Sequence, residues 1–131
     1  MDRATAAGRS LGLGPVEVIE VEAKKPGKAP EAEVLRPHLE GAYVIACDEH
    51  GTARASRAFA AEIARLRDDG VRKMVFVIGG ADGLDPSLLA EAKGKLAFGP
   101  QTWPHALARA MLAEQVYRGV SILAGSPYHR D

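Results

Sequence analysis

The run Lys73-Met-Val-Phe-Val-Ile78 is apolar without interruption after its first residue, and it is rich in β-branched and aromatic side chains. A run of that length and kind predicts a strand buried on both faces. Ala42-Tyr-Val-Ile-Ala-Cys47 has the same character, with Asp48-Glu-His-Gly51 as the turn that follows. Pro15 to Glu22 predicts an earlier strand, bounded by Gly14 and by the Lys24–Pro30 loop. Leu96-Ala-Phe98 predicts a short one, and Val120-Ser-Ile-Leu-Ala124 a last one.

Between these runs the apolar spacing changes from two to between three and four residues. Pro30 stands at the first turn of a helix, with Glu31 and Glu33 near its positive end, and Pro37 should kink or end it. Phe59, Ile63 and Leu66 predict a helix from about Ala53 to Asp69 that Gly70 ends. Asp85 can cap a helix beginning at Pro86 and stopping near Gly94. Pro104 to Arg118 predicts a further helix with Gly119 as its stop. The order βαβαβαβαβ predicts an α/β layer fold on a mostly parallel sheet, one domain over residues 1–131. Ligands of such sheets lie beyond the carboxyl ends of the strands. The loops at Asp48–Gly51, Gly79–Asp85 and Gly99–His105 and the tail after Ala124 therefore hold the chemistry.

Composition narrows the classes. Hydrophobic residues make up 47% of the chain, an ordinary share for a globular domain. No apolar run approaches a membrane span, and the first residues lack the apolar stretch of a secretory signal. One cysteine, Cys47, excludes an internal disulfide and fits a reducing cytoplasm. The four histidines show no metal-ligand spacing, so no metal site is expected. Lys and Arg balance Asp and Glu at 17 each, which argues against a broad basic face holding naked nucleic acid.

Gly79-Gly-Ala-Asp-Gly83 lets backbone approach a ligand closely. It lacks both the Walker sequence and the dinucleotide spacing, and Asp82 would repel a phosphate. A nucleoside without phosphates, especially a cationic one, fits it better; a tight turn with no ligand fits it too. In Gly99-Pro-Gln-Thr-Trp-Pro-His105 the two prolines fix φ and Trp103 offers a flat apolar wall. Backbone groups of Gly99, Gln101 and Thr102 can then read an adenine edge, unless the loop serves only to pack Trp103 into the core. His105, in a helical first turn, is favoured neutral and can accept a proton or merely cap the helix. The helix after it is apolar nearly all round, which predicts a subunit interface as well as a core. Arg109 is its exception and needs a partner, while Glu114 and Arg118 stand at i,i+4 and can pair. The tail Tyr128-His-Arg130 joins an aromatic, an imidazole and a guanidinium, the composition of an RNA-contact segment, although chain ends usually fray. Cys47, ending a buried strand, is expected to be inert.

Three stretches in order, VFVIGGADGL, FGPQTWPHALARAMLAEQVYRG and SILAGSPYHR, resemble the RlmH family of the SPOUT class, bacterial methyltransferases of 23S rRNA. The likeness runs from about Leu13 to the end. It implies a three-layer α/β/α fold with a C-terminal deep trefoil knot, a homodimer, S-adenosyl-L-methionine as methyl donor, and N3 of a pseudouridine in the intact 70S ribosome as target. Matched position by position, it implies cofactor contacts at Cys47, Gly79, Phe98, Gly99, Pro100, Gln101, Thr102 and Trp103. It also implies that Tyr128, His129 and Arg130 reach the partner subunit's site, with His129 or His105 to take the imino proton. The chain departs from the family in starting near the end of the family's first helix, so that the first strand is expected to be missing. Cys47 stands where leucine is common, and Ser126 where histidine is common. A SPOUT methyltransferase of another RNA, or a nucleoside-binding module without catalysis, stays open as an alternative.

Overall fold

The computed structural model describes residues 28–79, 84–99 and 104–129. The strand expected at Pro15–Glu22 lies outside them. Within them the order is α1 (Lys28–Leu35), a 3-10 turn (Arg36–His38), β1 (Tyr43–Ala53), α2 (Ser56–Asp68), β2 (Met74–Ile78), α3 (Pro86–Glu91), β3 (Gly94–Ala97) and α4 (His105–Leu123). The three strands form one parallel sheet in the order β2-β1-β3, which establishes the α/β class. The described residues divide into two compact units, 28–53 with 72–109 and 54–71 with 110–129.

In the first unit β1 is central, so its apolar start is paired on both sides: Ile45 aligns with Phe76 of β2 and with Gly94 of β3. Ala46 and Val77 are buried in one cluster with Ala32 of α1 and with Leu84 and Leu88 around α3. Val44, Val75, Leu35 and Leu89 pack against that cluster. Pro37 ends α1 as expected, and the chain continues as a 3-10 turn. The Arg36 guanidinium then reaches across to Glu91 at 2.7 Å and Ser87 Oγ at 2.7 Å, tying that turn to α3. Asp85 caps α3 as expected, its carboxylate accepting from the Ser87 N–H at 2.8 Å.

Two expectations are corrected. First, Asp48–Gly51 does not end β1, which runs eleven residues to Ala53. Leu96 of β3 aligns with both Cys47 and Thr52, so the four residues between bulge from the ladder. The Asp48 carboxylate accepts from the His50 N–H at 3.1 Å, closing the bulge on itself. Gly51 brings backbone against backbone there: a Cβ on it would stand 2.9 Å from Leu96 N and from Lys95 C. Because the strand uses residues up to Ala53, α2 begins at Ser56 rather than at Ala53.

Second, Gly119 does not stop a helix, and Val120–Ala124 is not a strand. The helix α4 runs from His105 to Leu123. In the second unit Gly119 is a packing position: a Cβ there would meet Ile63 Cδ1 at 3.4 Å, Phe59 Cδ2 at 3.5 Å and Ala60 Cα at 3.7 Å. Those three belong to the buried stripe of α2, completed by Leu66. The absent side chain lets the two helices approach, and Val120 and Ser121 are buried beside the contact. The true stop is Gly125, at φ +73°. Its N–H bonds to the Ile122 carbonyl at 3.1 Å, and the Ser126 N–H bonds to the Ser121 carbonyl at 2.9 Å, a Schellman motif. The same pair of bonds ends α2, from Gly70 to Arg67 (3.1 Å) and from Val71 to Leu66 (3.0 Å), with Gly70 at φ +85° as expected.

Candidate functional site

Parallel strands end at one edge of a sheet, and this edge gathers part of the expected cofactor set. Cys47 aligns with Ile78 on one side and with Leu96 on the other. Gly79 follows Ile78 directly, and Phe98 and Gly99 follow β3 by one and two residues. Cys47, Gly79, Phe98 and Gly99 are thus brought to the carboxyl edge within about three residues of a common level. Gly99 sits at φ +97°, a conformation that favours glycine, and among the described residues, its chain neighbours aside, no atom lies within 4 Å of where its Cβ would be. The chain therefore turns there in a way that a side chain would resist. Pro100, Gln101, Thr102 and Trp103, and the glycine loop from Gly80 to Gly83, lie outside the described residues.

Burial pushes the Cys47 thiol up to about 12. It stays protonated at neutral pH, which suits neither a nucleophile nor a metal ligand. Among the described residues no group of His, Cys, Asp and Glu is placed to hold a metal ion. No described helix is long and apolar enough to cross a membrane.

The second gathering is in the other unit, where the chain turns back after Gly125 and lays its tail on α4. Glu114, Tyr117 and Arg118, spaced i, i+3 and i+4, share a helix face. The Arg118 guanidinium donates to Glu114 Oε1 from Nη2 at 2.7 Å and from Nε at 3.0 Å, the i,i+4 pair the sequence allows. Two tail residues join it. The Tyr128 hydroxyl donates to Glu114 Oε1 at 3.1 Å, and Arg118 Nη1 lies 3.0 Å from His129 Nδ1. The Tyr128 ring stands edge-on to Tyr117 with centroids 4.8 Å apart, and the guanidinium carbon of Arg118 is 4.8 Å from the Tyr128 centroid.

The electrostatics follow from these contacts. The Arg118 hydrogen bonds hold the Glu114 carboxyl below its ordinary range against the opposing effect of burial, and the Tyr128 hydroxyl helps. The hydrogen bond to Glu114 raises the Tyr128 phenol, as do burial and the nearby carboxylate charge. The same carboxylate raises Arg118.

Of the expected catalytic residues, Tyr128 and His129 come together on α4. His105 opens that helix, with its side chain outside the described residues, as is Arg130. Sequence reasoning found the Glu114–Arg118 pair and missed its union with the tail. The local signal was Gly125 alone, since a glycine there can end a helix in a Schellman motif and turn the following residues back.

Comparisons with known proteins give the family. The family described as "Predicted SPOUT methyltransferase" matches residues 7–129. A protein of Phenylobacterium zucineum named ribosomal RNA large subunit methyltransferase H is 79% identical over all of this chain and 85% of its own length. A protein of the same name from Caulobacter sp. is 79% identical over 98% of this chain and 84% of its own. One from Dinoroseobacter shibae is 52% identical over 99% of this chain and 85% of its own. A match across nearly the whole chain, with relatives this similar, establishes that the chain belongs to the SPOUT methyltransferase family.

Proposed function

We propose that this chain is a large-subunit ribosomal RNA methyltransferase that moves a methyl group from S-adenosyl-L-methionine to N3 of a pseudouridine in 23S rRNA. The observation that carries the reading is the meeting of Gly79, Phe98 and Gly99 at the carboxyl edge of a SPOUT-family sheet, with the chain turning at Gly99 through a φ of +97°. A ligand with a flat apolar ring suits such an edge, since backbone N–H and carbonyl groups read its rim while Phe98 and Trp103 supply apolar surface. Asp82 suits a sulfonium cation better than a phosphate.

When bound, adenosylmethionine supplies a methyl group made electrophilic by the positive sulfur. The chain's own residues do the rest. Cys47, Gly79 and the segment from Phe98 to Trp103, including Gly99, Pro100, Gln101 and Thr102, hold the adenosyl group. Pro100 and Pro104 each fix a backbone φ, which lowers the entropy lost when the segment closes on a ligand. In this reading the segment belongs to a trefoil knot. Orientation of the reacting atoms supplies most of the rate. Tyr128, His129 and Arg130 hold the target nucleotide, and His129 or His105 assists the loss of its imino proton.

The protein works as a homodimer in the cytoplasm. Ala106, Leu107 and Ala110 are exposed along the start of α4, Leu107 by 51%, and a second copy would cover them. Its net charge of zero makes the assembled 70S ribosome the better substrate, because the particle must supply docking surface that a basic protein would find on bare RNA. Calorimetry tests the cofactor assignment. Adenosylhomocysteine should bind and flavin mononucleotide should not; the reverse result would favour a nucleoside-binding module without catalysis.

A further inference from the structure

The contact between Arg118 and His129 fixes which nitrogen of the imidazole carries the proton. Arginine has five N–H donors and no acceptor. A hydrogen bond from Nη1 at 3.0 Å therefore requires a lone pair on Nδ1. A neutral imidazole with an accepting Nδ1 has its proton on Nε2, and an imidazolium cannot make this contact at all, since both its nitrogens donate. Arg118 is itself held. Glu114 takes two of its donors, the Tyr128 ring lies 4.8 Å from its guanidinium carbon, and Tyr128 donates to the same carboxylate oxygen that Arg118 grips. Tail and helix thus share one anchor, with Glu114 at its base.

We infer that Arg118 is a positioning residue: it aims the tail and sets His129 as a hydrogen-bond donor through Nε2. This inference rests on the methyl-transfer reading and sharpens it. Sequence reasoning gives His129 the role of proton acceptor, but the lone pair it would use is already engaged by Arg118. A donor suits a carbonyl oxygen flanking the reacting ring nitrogen. As the N–H bond breaks, with its proton passing to solvent water, negative charge spreads onto that oxygen and a fixed N–H stabilises it. The ring nitrogen then forms its bond to the methyl carbon while the carbon–sulfur bond breaks, leaving neutral sulfur. Glu114, through Arg118, keeps the donor aimed.

The test uses the full chain with nitrogen-15-labelled histidine, at about pH 8, above the ordinary histidine range. Long-range proton–nitrogen spectra should show His129 with Nε2 protonated and Nδ1 a hydrogen-bonded acceptor. Arg118→Ala should shift the Nδ1 resonance and lower kcat for ribosome methylation on the order of tenfold to a hundredfold, with adenosylmethionine affinity unchanged. Arg118→Lys keeps one donor and should restore most of the spectrum and part of kcat. Glu114→Gln, which weakens the anchor without removing Arg118, should fall between them and serves if Arg118→Ala does not fold. Protonated Nδ1 in the neutral wild-type ring would overturn the inference, as would a spectrum and kcat indifferent to Arg118→Ala. If the wild type binds no adenosylmethionine and methylates no RNA yet His129 responds to Arg118 as expected, the functional reading fails and the tautomer assignment stands.

Discussion

Gly119 of α4 faces Ile63 of α2 so closely that a Cβ on the glycine would stand 3.4 Å from Ile63 Cδ1. One added methyl reaches ordinary contact distance there, whereas a larger side chain has nowhere to go. Gly119→Ala should be close to neutral, because the alanine gains up to about 1 kcal/mol of helix propensity against mild crowding. Gly119→Val should cost about 1–3 kcal/mol through overpacking. Gly51→Ala should also be costly, since its Cβ would lie 2.9 Å from the backbone of Leu96 and Lys95, which cannot rotate away. Urea denaturation of the three variants checks the order. Equal stability of Gly119→Ala and Gly119→Val would remove the packing argument.

Gly125 is the residue that ends α4, and its φ of +73° is costly for any side chain. Gly125→Ala should cost about 1 kcal/mol and loosen the tail that follows. Thermal melting reads the first effect. The second appears as loss of the Tyr117–Tyr128 contact in nuclear Overhauser spectra. A tail still docked, with full stability, would contradict the stop assigned here.

These two glycines show what the sequence made legible and what it hid. The strand at Met74–Ile78, the Asp85 cap and the Gly70 stop were plain because each is written locally, in an apolar run or in one residue's conformational preference. Gly119 was not, because a glycine that lets helices touch has the same letter as one that ends a helix. Only the neighbours Phe59, Ala60 and Ile63, some sixty residues away, decide between them. The bulge at Asp48–Gly51 was hidden for a like reason: a polar tetrad closing on glycine reads as a turn until Leu96 is seen beside both of its ends. At the sheet, the placing of Gly79 and Gly99 at the carboxyl edge followed from strand order alone. The docking of Tyr128 and His129 on Glu114 and Arg118 did not, because it depends on where Gly125 sends the chain.

The Glu114 cluster makes tail docking sensitive to acid. The Glu114 carboxyl titrates below the ordinary glutamate range in the folded protein, chiefly because Arg118 donates to it. A depressed carboxylate contributes stability that is complete above its unfolded value and is lost as pH falls through the folded one. Docking should therefore hold at neutral pH and weaken only as the pH falls below the ordinary glutamate range. The effect is small, because Arg118 and Glu114 are partly exposed and such pairs contribute at most about 1 kcal/mol. Fluorescence or proton spectra of Tyr128 followed from neutral to acid pH measure it. Glu114→Gln should abolish the acid step, and a step that survives in that variant would assign it elsewhere.

Deleting Tyr128–Asp131 should leave adenosylmethionine affinity and dimerisation nearly intact while methyl transfer falls by orders of magnitude. Mixed dimers locate the tail's work. One subunit lacking the tail, paired with one whose cofactor loop is broken, retains a single cofactor site that only the partner's tail can serve. Activity in that pairing means donation across the dimer. If that pairing is inactive, and pairing an intact subunit with one carrying both lesions restores activity, each tail serves its own subunit.

The central claim is the reaction itself. Ribosomes from a strain lacking this gene, incubated with the purified protein and methyl-labelled adenosylmethionine, should gain one methyl group on 23S rRNA. Mass spectrometry of the digested RNA should place it on N3 of a pseudouridine, with protein-free rRNA a poor substrate. Label on a different nucleotide, or equal labelling of protein-free rRNA, would contradict the account.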